Sequence, residues 1–277
     1  MVYKRENAMK KAISKDGTSI AFDQSGQGPA IILVAGATAT RLAETSLASA
    51  LAPHFTVFAY DRRGRGESGD TAPYAVEREV EDLETLLNEA GGSAFVFGHS
   101  SGAVLALEAA RLLPTKITKL AVYEPPFIID DSRPPAPENY AAHLTELVSS
   151  GRRGEAVEYF MTEVGTPAEM VVQMRQSPMW PGLETLAHTL AYDITIIGDT
   201  QRGDPLTLRK WASVTVPTLV IDGTIFLGRK DRHAFMHHGA QELANILPNA
   251  RRRTLEGQDH GPADEVLVPA LKEFFLD

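Results

Sequence analysis

The chain has 277 residues, of which 43% are hydrophobic and 23% are charged. This length and composition predict one large globular domain, or one domain with an insertion, and exclude a disordered or fibrous protein. The 36 acidic and 27 basic side chains give a formal net charge of −9. Because that charge repels nucleic-acid phosphates and anionic lipid, we expect neither nucleic acid nor a membrane as a partner.

Cysteine is absent, and the apolar runs are short. Disulfides, thiolate metal ligands and a cysteine nucleophile are therefore excluded, and the chain tolerates a reducing compartment. The apolar run at residues 30–37 is far shorter than the roughly 20 residues that span a bilayer. The first residues lack the apolar core of a secretory signal. We expect a cytoplasmic protein, and a homodimer is one assembly that the sequence permits.

Predicted strands and helices alternate along most of the chain. Residues 11–14 and 19–23, joined by the turn pair Asp16-Gly17, predict an antiparallel hairpin at a sheet edge. Nearly continuous apolar runs predict strands at residues 30–35, 55–60, 94–98, 117–123 and 217–221, followed by a short strand at 251–255. Amphipathic stretches at residues 41–51, 77–89 and 103–113 predict helices between them. This alternation predicts an α/β fold with a mostly parallel sheet and helices on both faces.

The pattern changes after residue 124. Residues 125–137 are rich in proline, and residues 138–210 predict several helices without strands. The strand pattern resumes near Val216. The sequence therefore predicts a core domain formed by residues 1–124 and 211–277, with a helical cap inserted at residues 125–210.

A serine bracketed by glycines lies where a predicted strand turns into a predicted helix. In GHSSG, residues 98–102, the glycines stand two residues before and two residues after Ser100, which matches G-x-S-x-G. A nucleophilic serine needs this spacing because side chains at the flanking positions would collide with the neighbouring strand or helix. Ser101 lacks the symmetric bracket. Ser100 is the candidate nucleophile, and the alternative is a glycine-rich turn that holds a buried serine.

The chain resembles an α/β-hydrolase over nearly its full length, because further landmarks of that family follow in order. VAGA at residues 34–37 occupies the place of the oxyanion loop, with Ala35 where the family usually has histidine. DRRGRGES at residues 61–68 resembles the D-x-R-G-x-G-x-S turn. Residues 217–223 resemble the strand before the usual acid, and GQDH at residues 257–260 resembles the segment that carries the catalytic histidine. The resemblance implies the α/β-hydrolase fold and a hydrolase activity.

Arginines are concentrated in the turn at residues 61–68, at positions 62, 63 and 65. A phosphate site is one interpretation of such a cluster. Because the turn matches a structural motif of the family and the chain is acidic overall, we predict a scaffold turn stabilised by ion pairs.

A serine nucleophile needs a general base, and eight histidines are candidates. His260 follows the last predicted strand in a glycine-containing loop and completes the chain order serine, acid, histidine of this fold family. The other seven are expected to be structural or solvated, and His99 is expected to point away from the turn because neighbours on a strand alternate faces. The pair His237-His238 lacks the i, i+4 spacing of a helical metal-binding pair. We expect no metal and no cofactor.

The acid departs from the commonest pattern of the family. Most members carry aspartate three residues after the glycine that closes the strand at 217–221, and that position here is Phe226. A minority, including haloalkane dehalogenases and the zearalenone lactonase, place the acid after the strand that follows the nucleophile helix, and YEPP at residues 123–126 resembles that arrangement. Glu124 is therefore the preferred acid, and Asp222 is the alternative. Less favoured carboxylates are Asp130, Asp231 and Asp259.

The resemblance also implies an oxyanion hole formed by the backbone amides of Ala37 and Ser101. The resulting hypothesis is a serine hydrolase that cleaves a carboxylic ester or lactone of an apolar small molecule through an acyl-enzyme. A ligand-binding or slow-triad homologue stays open because position 226 is not Asp and position 35 is not His. A cofactor-free C–C hydrolase or oxygenase also stays open. Dehalogenase and epoxide hydrolase chemistry is disfavoured because Ser100 stands where those relatives have aspartate.

Overall fold

In the computed structural model, which describes residues 9–225 and 233–277, eight strands form a single sheet. The strands are β1 (Lys10–Ile13), β2 (Ser19–Gly26), β3 (Ala30–Val34), β4 (Thr56–Tyr60), β5 (Ala94–His99), β6 (Ile117–Tyr123), β7 (Thr218–Asp222) and β8 (Ala250–Thr254). Their order across the sheet is β1-β2-β4-β3-β5-β6-β7-β8. β3 therefore lies between β4 and β5, and the connection from β4 to β5 crosses over β3, as expected when helices connect parallel strands.

The sheet is antiparallel at one edge and parallel elsewhere. β2 pairs antiparallel with β1 and β4, whereas the pairs from β4 through β3 and β5 to β8 are all parallel. The predicted opening hairpin is confirmed, because Ile13 pairs with Ser19. Its turn is stabilised by the amide of Thr18, which donates to Oδ1 of Asp16 at 2.9 Å. The predicted mostly parallel sheet is therefore confirmed as well.

Helices cover both faces of the sheet. The helices of the described ranges are α1 (Thr45–Leu51), α2 (Val76–Glu89), α3 (Ser101–Leu112), α4 (Tyr140–Ser149), α5 (Arg153–Glu163), α6 (Ala168–Arg175), α7 (Trp180–Leu186), α8 (Leu190–Ile197), α9 (Ala234–Ile246) and α10 (Asp264–Leu276). On β3, Ile31 and Leu33 share a buried cluster with α1 and α10, while Ile32 and Val34 share another with α2 and α3. Both faces of the central strands are therefore apolar, which explains their continuous hydrophobic runs. In neither described range does a helix combine the length and hydrophobicity that crossing a bilayer requires.

Along the chain, the helices α4 to α8 all come after β6 and before β7. They have a hydrophobic cluster of their own, which includes Leu144, Val157 and Trp180. Ala37, in the loop after β3, packs against that cluster. This helical segment therefore contacts the end of the sheet where β3 terminates. The division of the chain after residues 124 and 210 stays a prediction.

The carboxyl ends of the parallel strands meet at one edge of the sheet, the edge where ligands bind in folds of this type. Ser100 follows β5, and its amide donates to the carbonyl of Tyr123 at 2.9 Å. Glu124 follows β6, and its amide donates to the carbonyl of Ile221 at 2.9 Å. Backbone hydrogen bonds thus connect three strand ends side by side.

Close packing of β3 against α3 leaves no room for a side chain at position 102. A Cβ atom on Gly102 would lie 2.2 Å from the carbonyl oxygen of Val34 and 2.6 Å from that of Ala35. Because both neighbours are backbone atoms, relieving the overlap requires strand and helix to separate. We expect Gly102→Ala to lower the free energy of unfolding by at least about 2 kcal/mol.

Gly182, in helix α7, provides the matched control. A Cβ atom there has no neighbour within 4 Å, so Gly182→Ala is expected to be neutral or to stabilise the protein by up to about 1 kcal/mol. Urea unfolding of both variants measures the difference. Equal effects of the two substitutions would contradict the packing described for Gly102.

Candidate active site

Ser100 lies at a sharp turn between β5 and α3. Its backbone angles are φ 55° and ψ −124°, a conformation that costs a non-glycine residue on the order of 1–3 kcal/mol. The turn is held because β5 pairs with β3 on one side and β6 on the other, and because α3 packs directly on the end of β3 at Gly102. The side chain of Ser100 lines a cavity at the carboxyl edge of the sheet.

Backbone strain is concentrated at this edge. Among the described residues, the non-glycine residues with positive φ are Thr38 (60°), Ser100 (55°) and Glu124 (46°). They follow β3, β5 and β6, which are three neighbouring strands. Strained backbone persists only where the surrounding structure enforces it, and it is found most often at functional sites. The strain therefore identifies the same edge as the candidate site.

The cavity has a volume of about 660 Å³ and opens beside Ser100. Its walls are largely hydrophobic, and the polar side chains that line it include those of His99, Ser100 and His260. Apolar wall residues from the sheet and the helical segment include Leu47, Phe97, Tyr140, Phe160, Ile194 and Ile197. Glu44 and Asp264 also line the cavity; burial and the charge of Asp264 raise the pKa of Glu44 to about 7.

The carboxylate of Glu124 is fully buried and joins two histidines. Its Oε2 lies 2.7 Å from Nδ1 of His260, and its Oε1 lies 3.0 Å from Nε2 of His233. The amide of Gly223 donates to Oε1 at 2.9 Å. Burial by itself raises the pKa of Glu124, but the hydrogen bonds from His233 and His260 outweigh burial and lower that pKa to about 2. Glu124 is therefore ionised at neutral pH, and both histidine nitrogens that face it carry protons.

His260 lies in a loop that is attached to the ends of β6 and β7. The hydroxyl of Tyr123 donates to the carbonyl of Asp259 at 2.6 Å, and the amide of Thr224 donates to the carbonyl of Gln258 at 3.0 Å. Because Nδ1 of His260 donates to Glu124, the neutral ring carries its lone pair on Nε2. His260 and Ser100 line the same cavity. The ring is thus held in the tautomer that a general base requires.

His99 lies at the site, so the expectation that it points away from the turn was wrong. Its ring centroid lies 4.7 Å from that of His260, and it lines the same cavity. Strand alternation places His99 on the same face as Phe97, and Phe97 packs in the cluster of Leu255, just before the loop that carries His260. Burial, together with the charge of His260, lowers the pKa of His99 to about 3. His99 is therefore a neutral ring packed beside His260.

His233, expected to be structural or solvated, was not assigned to the site by sequence reasoning. It is 5% exposed, and its side chain contacts the buried carboxylate of Glu124. The sequence signal that was available is its i, i+4 spacing with His237, which places the two rings on one face at the start of α9. The adjacent pair His237-His238 does not have this spacing.

Asp222, the alternative acid, is buried and has other partners. Its Oδ2 lies 2.9 Å from Nδ1 of His237 and accepts a hydrogen bond from Nη2 of Arg252 at 2.8 Å, while its Oδ1 accepts from Thr254 at 3.1 Å. These contacts direct the carboxylate toward β8 and α9. The structure therefore brings Glu124, and not Asp222, into hydrogen-bond contact with His260.

One trio of described residues has the composition of a metal site. Ligand atoms of Asp222, His233 and His237 all lie within 4.8 Å of one another. The guanidinium of Arg252 lies 2.8 Å from both Asp222 and His237. A positive group therefore occupies the position between two of the three ligands, which disfavours a cation there.

The remaining carboxylates lie apart from this contact or outside the described residues. Asp130 pairs with His238 at 2.5 Å. Oδ1 of Asp259 accepts a hydrogen bond from the amide of His260 at 2.7 Å. Asp231 and Phe226 lie outside the described residues.

The predicted oxyanion residues lie beside Ser100. A Cβ atom on Gly36 would lie 3.0 Å from Cβ of Ser100, so the loop after β3 passes directly along the serine side chain. Ala37 and Ser101 both line the cavity. Among the hydrogen bonds of the described residues, none starts from the backbone amide of Ala37 or Ser101. Two backbone donors are therefore available next to Ser100.

The depressed pKa of Glu124 makes a contribution to stability that depends on pH. Since the folded-state pKa of about 2 lies below the ordinary 4.5, the contribution is fully present above about pH 5 and is lost as the pH falls toward 2, with a magnitude of about 3 kcal/mol. We expect wild type to be more stable than Glu124→Gln above pH 5, and the difference to shrink as the pH falls toward 3. Urea unfolding of both proteins across this range measures it. A difference that is independent of pH would contradict the ionised state of Glu124.

Residues 31–269 match the model of a family described as the alpha/beta hydrolase family. A solved structure of an alpha/beta hydrolase from Sphaerobacter thermophilus DSM 20745 is 53% identical, with a TM-score of 0.87, and the match covers 96% of this chain and 100% of that one.

Two curated relatives match a part of the chain. The uncharacterised hydrolase YraK of Bacillus subtilis is 34% identical over 39% of this chain and 42% of its own length. Lipase LipV of Mycobacterium tuberculosis is 33% identical over 29% of this chain and 31% of its own length. The chain therefore spans less than half the length of these two relatives.

Proposed function

The chain belongs to the alpha/beta hydrolase family, and on that premise we propose that it hydrolyses a carboxylic ester or lactone of an apolar small molecule through an acyl-enzyme. The observation that carries the proposal is the contact of 2.7 Å between Nδ1 of His260 and the ionised carboxylate of Glu124, in a cavity that Ser100 also lines. A serine, an oriented imidazole and a buried carboxylate are the three groups that acyl transfer requires.

Each group has a defined task in this reaction. Oγ of Ser100 attacks the carbonyl carbon while Nε2 of His260 takes the hydroxyl proton, and the resulting oxyanion accepts hydrogen bonds from the amides of Ala37 and Ser101. The bond to the leaving oxygen then breaks, and His260 gives its proton to the alcohol. Water attacks the acyl-enzyme with His260 as base, the carboxylic acid leaves, and the hydroxyl of Ser100 is restored. Glu124 stays ionised and stabilises the imidazolium.

The walls of the cavity favour an uncharged, apolar substrate. Hydrophobic side chains from the sheet loops and from α4, α5 and α8 form most of the surface. The charged groups that line the cavity have both signs, since Arg133 accompanies Glu163 and Asp264, so the preference follows from the apolar walls and not from a net charge. We propose that residues 125–210 act as a cap, because Tyr140, Phe160 and Ile194 contribute to the wall of the cavity that faces Ser100.

The contacts of Glu124 favour an active triad over the slow-triad alternative. The loss of aspartate at position 226 is compensated, because Glu124 supplies a carboxylate that already holds His260. The loss of histidine at position 35 leaves the amide of Ala37 in place as a donor. A C–C hydrolase would use the same three groups, so substrate screening with esters, lactones and vinylogous diketo acids separates the two reactions.

The nucleophile is tested by Ser100→Ala. We expect it to lower the hydrolysis of short p-nitrophenyl esters by at least about a thousandfold, because the residual rate depends on binding and the oxyanion donors alone. Circular dichroism and thermal melting show whether the variant stays folded. Wild type is expected to bind one equivalent of a fluorophosphonate at Ser100. Undiminished turnover by the folded variant would contradict the proposal.

The acid is tested by a matched pair of buried carboxylates. Glu124→Ala is expected to lower kcat on the order of 10³–10⁴-fold, since the imidazole loses the partner that fixes its tautomer. Asp222→Asn removes the charge of a carboxylate that is equally buried and also contacts a histidine, and we expect it to leave kcat nearly unchanged. The reverse pattern would assign the acid to Asp222.

A further inference from the structure

A second buried carboxylate, that of Asp193 in α8, reaches the catalytic edge from the helical segment. It is fully buried. Both of its oxygens accept from Nη2 of Arg65 at 2.8 Å, and its Oδ1 also accepts from Nη1 of Arg62 at 2.8 Å and from the hydroxyl of Ser101 at 2.7 Å. Burial raises the pKa of Asp193, but the two arginines outweigh burial and keep that pKa below its ordinary value. None of the proposed catalytic steps uses this carboxylate.

Arg65 connects Asp193 to the loop after β3. Its Nη1 donates to the carbonyl of Gly36 at 2.6 Å, while its Nη2 donates to Asp193. Its Nε is buried without a hydrogen-bond partner. Arg62, by contrast, also forms a paired contact with Glu79 at 2.8 and 2.9 Å. The guanidinium of Arg65 therefore serves Gly36 and Asp193 alone among the described groups.

The direction of the Gly36 carbonyl determines the direction of the next amide. The peptide bond between Gly36 and Ala37 is trans, so its C=O and N–H point in opposite directions. Because the carbonyl is held by Arg65 in the protein interior, the N–H of Ala37 points the opposite way, toward the cavity that Ala37 lines. Gly36 passes along the side chain of Ser100, so this amide lies next to the nucleophile.

The same carboxylate also holds the second amide. Ser101 is 1% exposed, and its hydroxyl donates to Asp193 at 2.7 Å and accepts from Arg62 at 3.3 Å. These contacts fix the first residue of α3, whose own amide has no acceptor among the described residues. Asp193 thus holds Ser101 through its hydroxyl, and it holds the Gly36–Ala37 peptide through Arg65. These are the two groups that carry the amides beside Ser100.

We propose that Asp193 and Arg65 are positioning residues that set the oxyanion hole: Asp193 holds Ser101 directly and holds the Gly36–Ala37 peptide through Arg65. This inference rests on the proposed acyl-transfer function and adds to it the requirement that α8 be docked. Preorganised donors act on the developing oxyanion and not on the substrate carbonyl, so the contribution falls on kcat. The helical segment therefore supplies part of the catalytic geometry as well as the wall of the cavity.

The test compares Arg65→Met and Asp193→Asn with two control variants from the same turn. Arg63 is equally buried, donates to Asp82 at 2.8 Å through two nitrogens, and touches neither Gly36 nor Asp193. Arg63→Met and Asp82→Asn therefore remove a buried ion pair of the same kind without touching the oxyanion loop. Thermal melting of all four variants measures whether the loss of stability is comparable.

Three readouts separate positioning from a purely structural role. They are kcat and KM for a p-nitrophenyl ester, the inhibition constant of an apolar trifluoromethyl ketone, which forms a tetrahedral adduct with a serine, and the rate of fluorophosphonate labelling of Ser100. We expect Arg65→Met and Asp193→Asn to lower kcat by at least about tenfold with little change in KM. We expect the same variants to raise the inhibition constant of the ketone by a similar factor. The Arg63 and Asp82 variants should keep the kcat of wild type.

Ser101→Ala, which keeps the backbone amide and loses only the hydroxyl, covers the case in which Arg65→Met does not fold. We expect Ser101→Ala to lower kcat as well, by a smaller factor than Arg65→Met does. Equal kcat values for the Arg65 and Arg63 variants, or a ketone affinity that is unchanged in Asp193→Asn, would overturn the inference while leaving the acyl-transfer proposal intact. A wild-type protein that neither reacts with fluorophosphonate nor cleaves esters would overturn both.

Discussion

A carboxylate with no solvent exposure costs several kcal/mol unless donors surround it, and Glu124 is such a group. Its donors come from three separate segments: the amide of Gly223 after β7, the ring of His233 before α9, and the ring of His260 after β8. Removing any one of them leaves a buried charge with fewer partners. These hydrogen bonds connect the three segments to the end of β6, where Glu124 has a positive φ.

Asp193 is a second buried carboxylate whose donors come from separate segments of the chain. Glu124 faces the proposed base, and Asp193 faces the loop and the helix that carry the proposed oxyanion amides. Each carboxylate is buried and ionised because positive or polar donors surround it. Both carboxylates are therefore paired, and the walls of the cavity that Ser100 lines are largely apolar. Such walls are consistent with the proposed uncharged substrate, and the proposed oxyanion amides would face the charge that develops during the proposed reaction.

The α/β-hydrolase fold implied by the motifs is confirmed by the family match over residues 31–269. Strand alternation and glycine spacing predicted the sheet and the turn at Ser100 because both are local: they depend on the period of the strand and on space at positions 98 and 102. Alternation was misapplied to His99. The ring of His99 does lie on the opposite face of β5 from Ser100. The loop that carries His260 packs on that same face as His99, so the two rings meet.

By itself, the sequence determined the succession of strands and helices along the chain, the position of the sharp turn at Ser100, and a short set of candidate carboxylates and histidines for the site. Only the tertiary structure decided which of them meet, and it added His233 and Asp193, which the sequence had not assigned to the site. Glu124 contacts His233 across 109 positions and His260 across 136, and Asp193 contacts Ser101 across 92. No local pattern encodes such contacts, because they arise from the order of strands in the sheet and from the docking of α8, where buried charges find partners from distant parts of the chain.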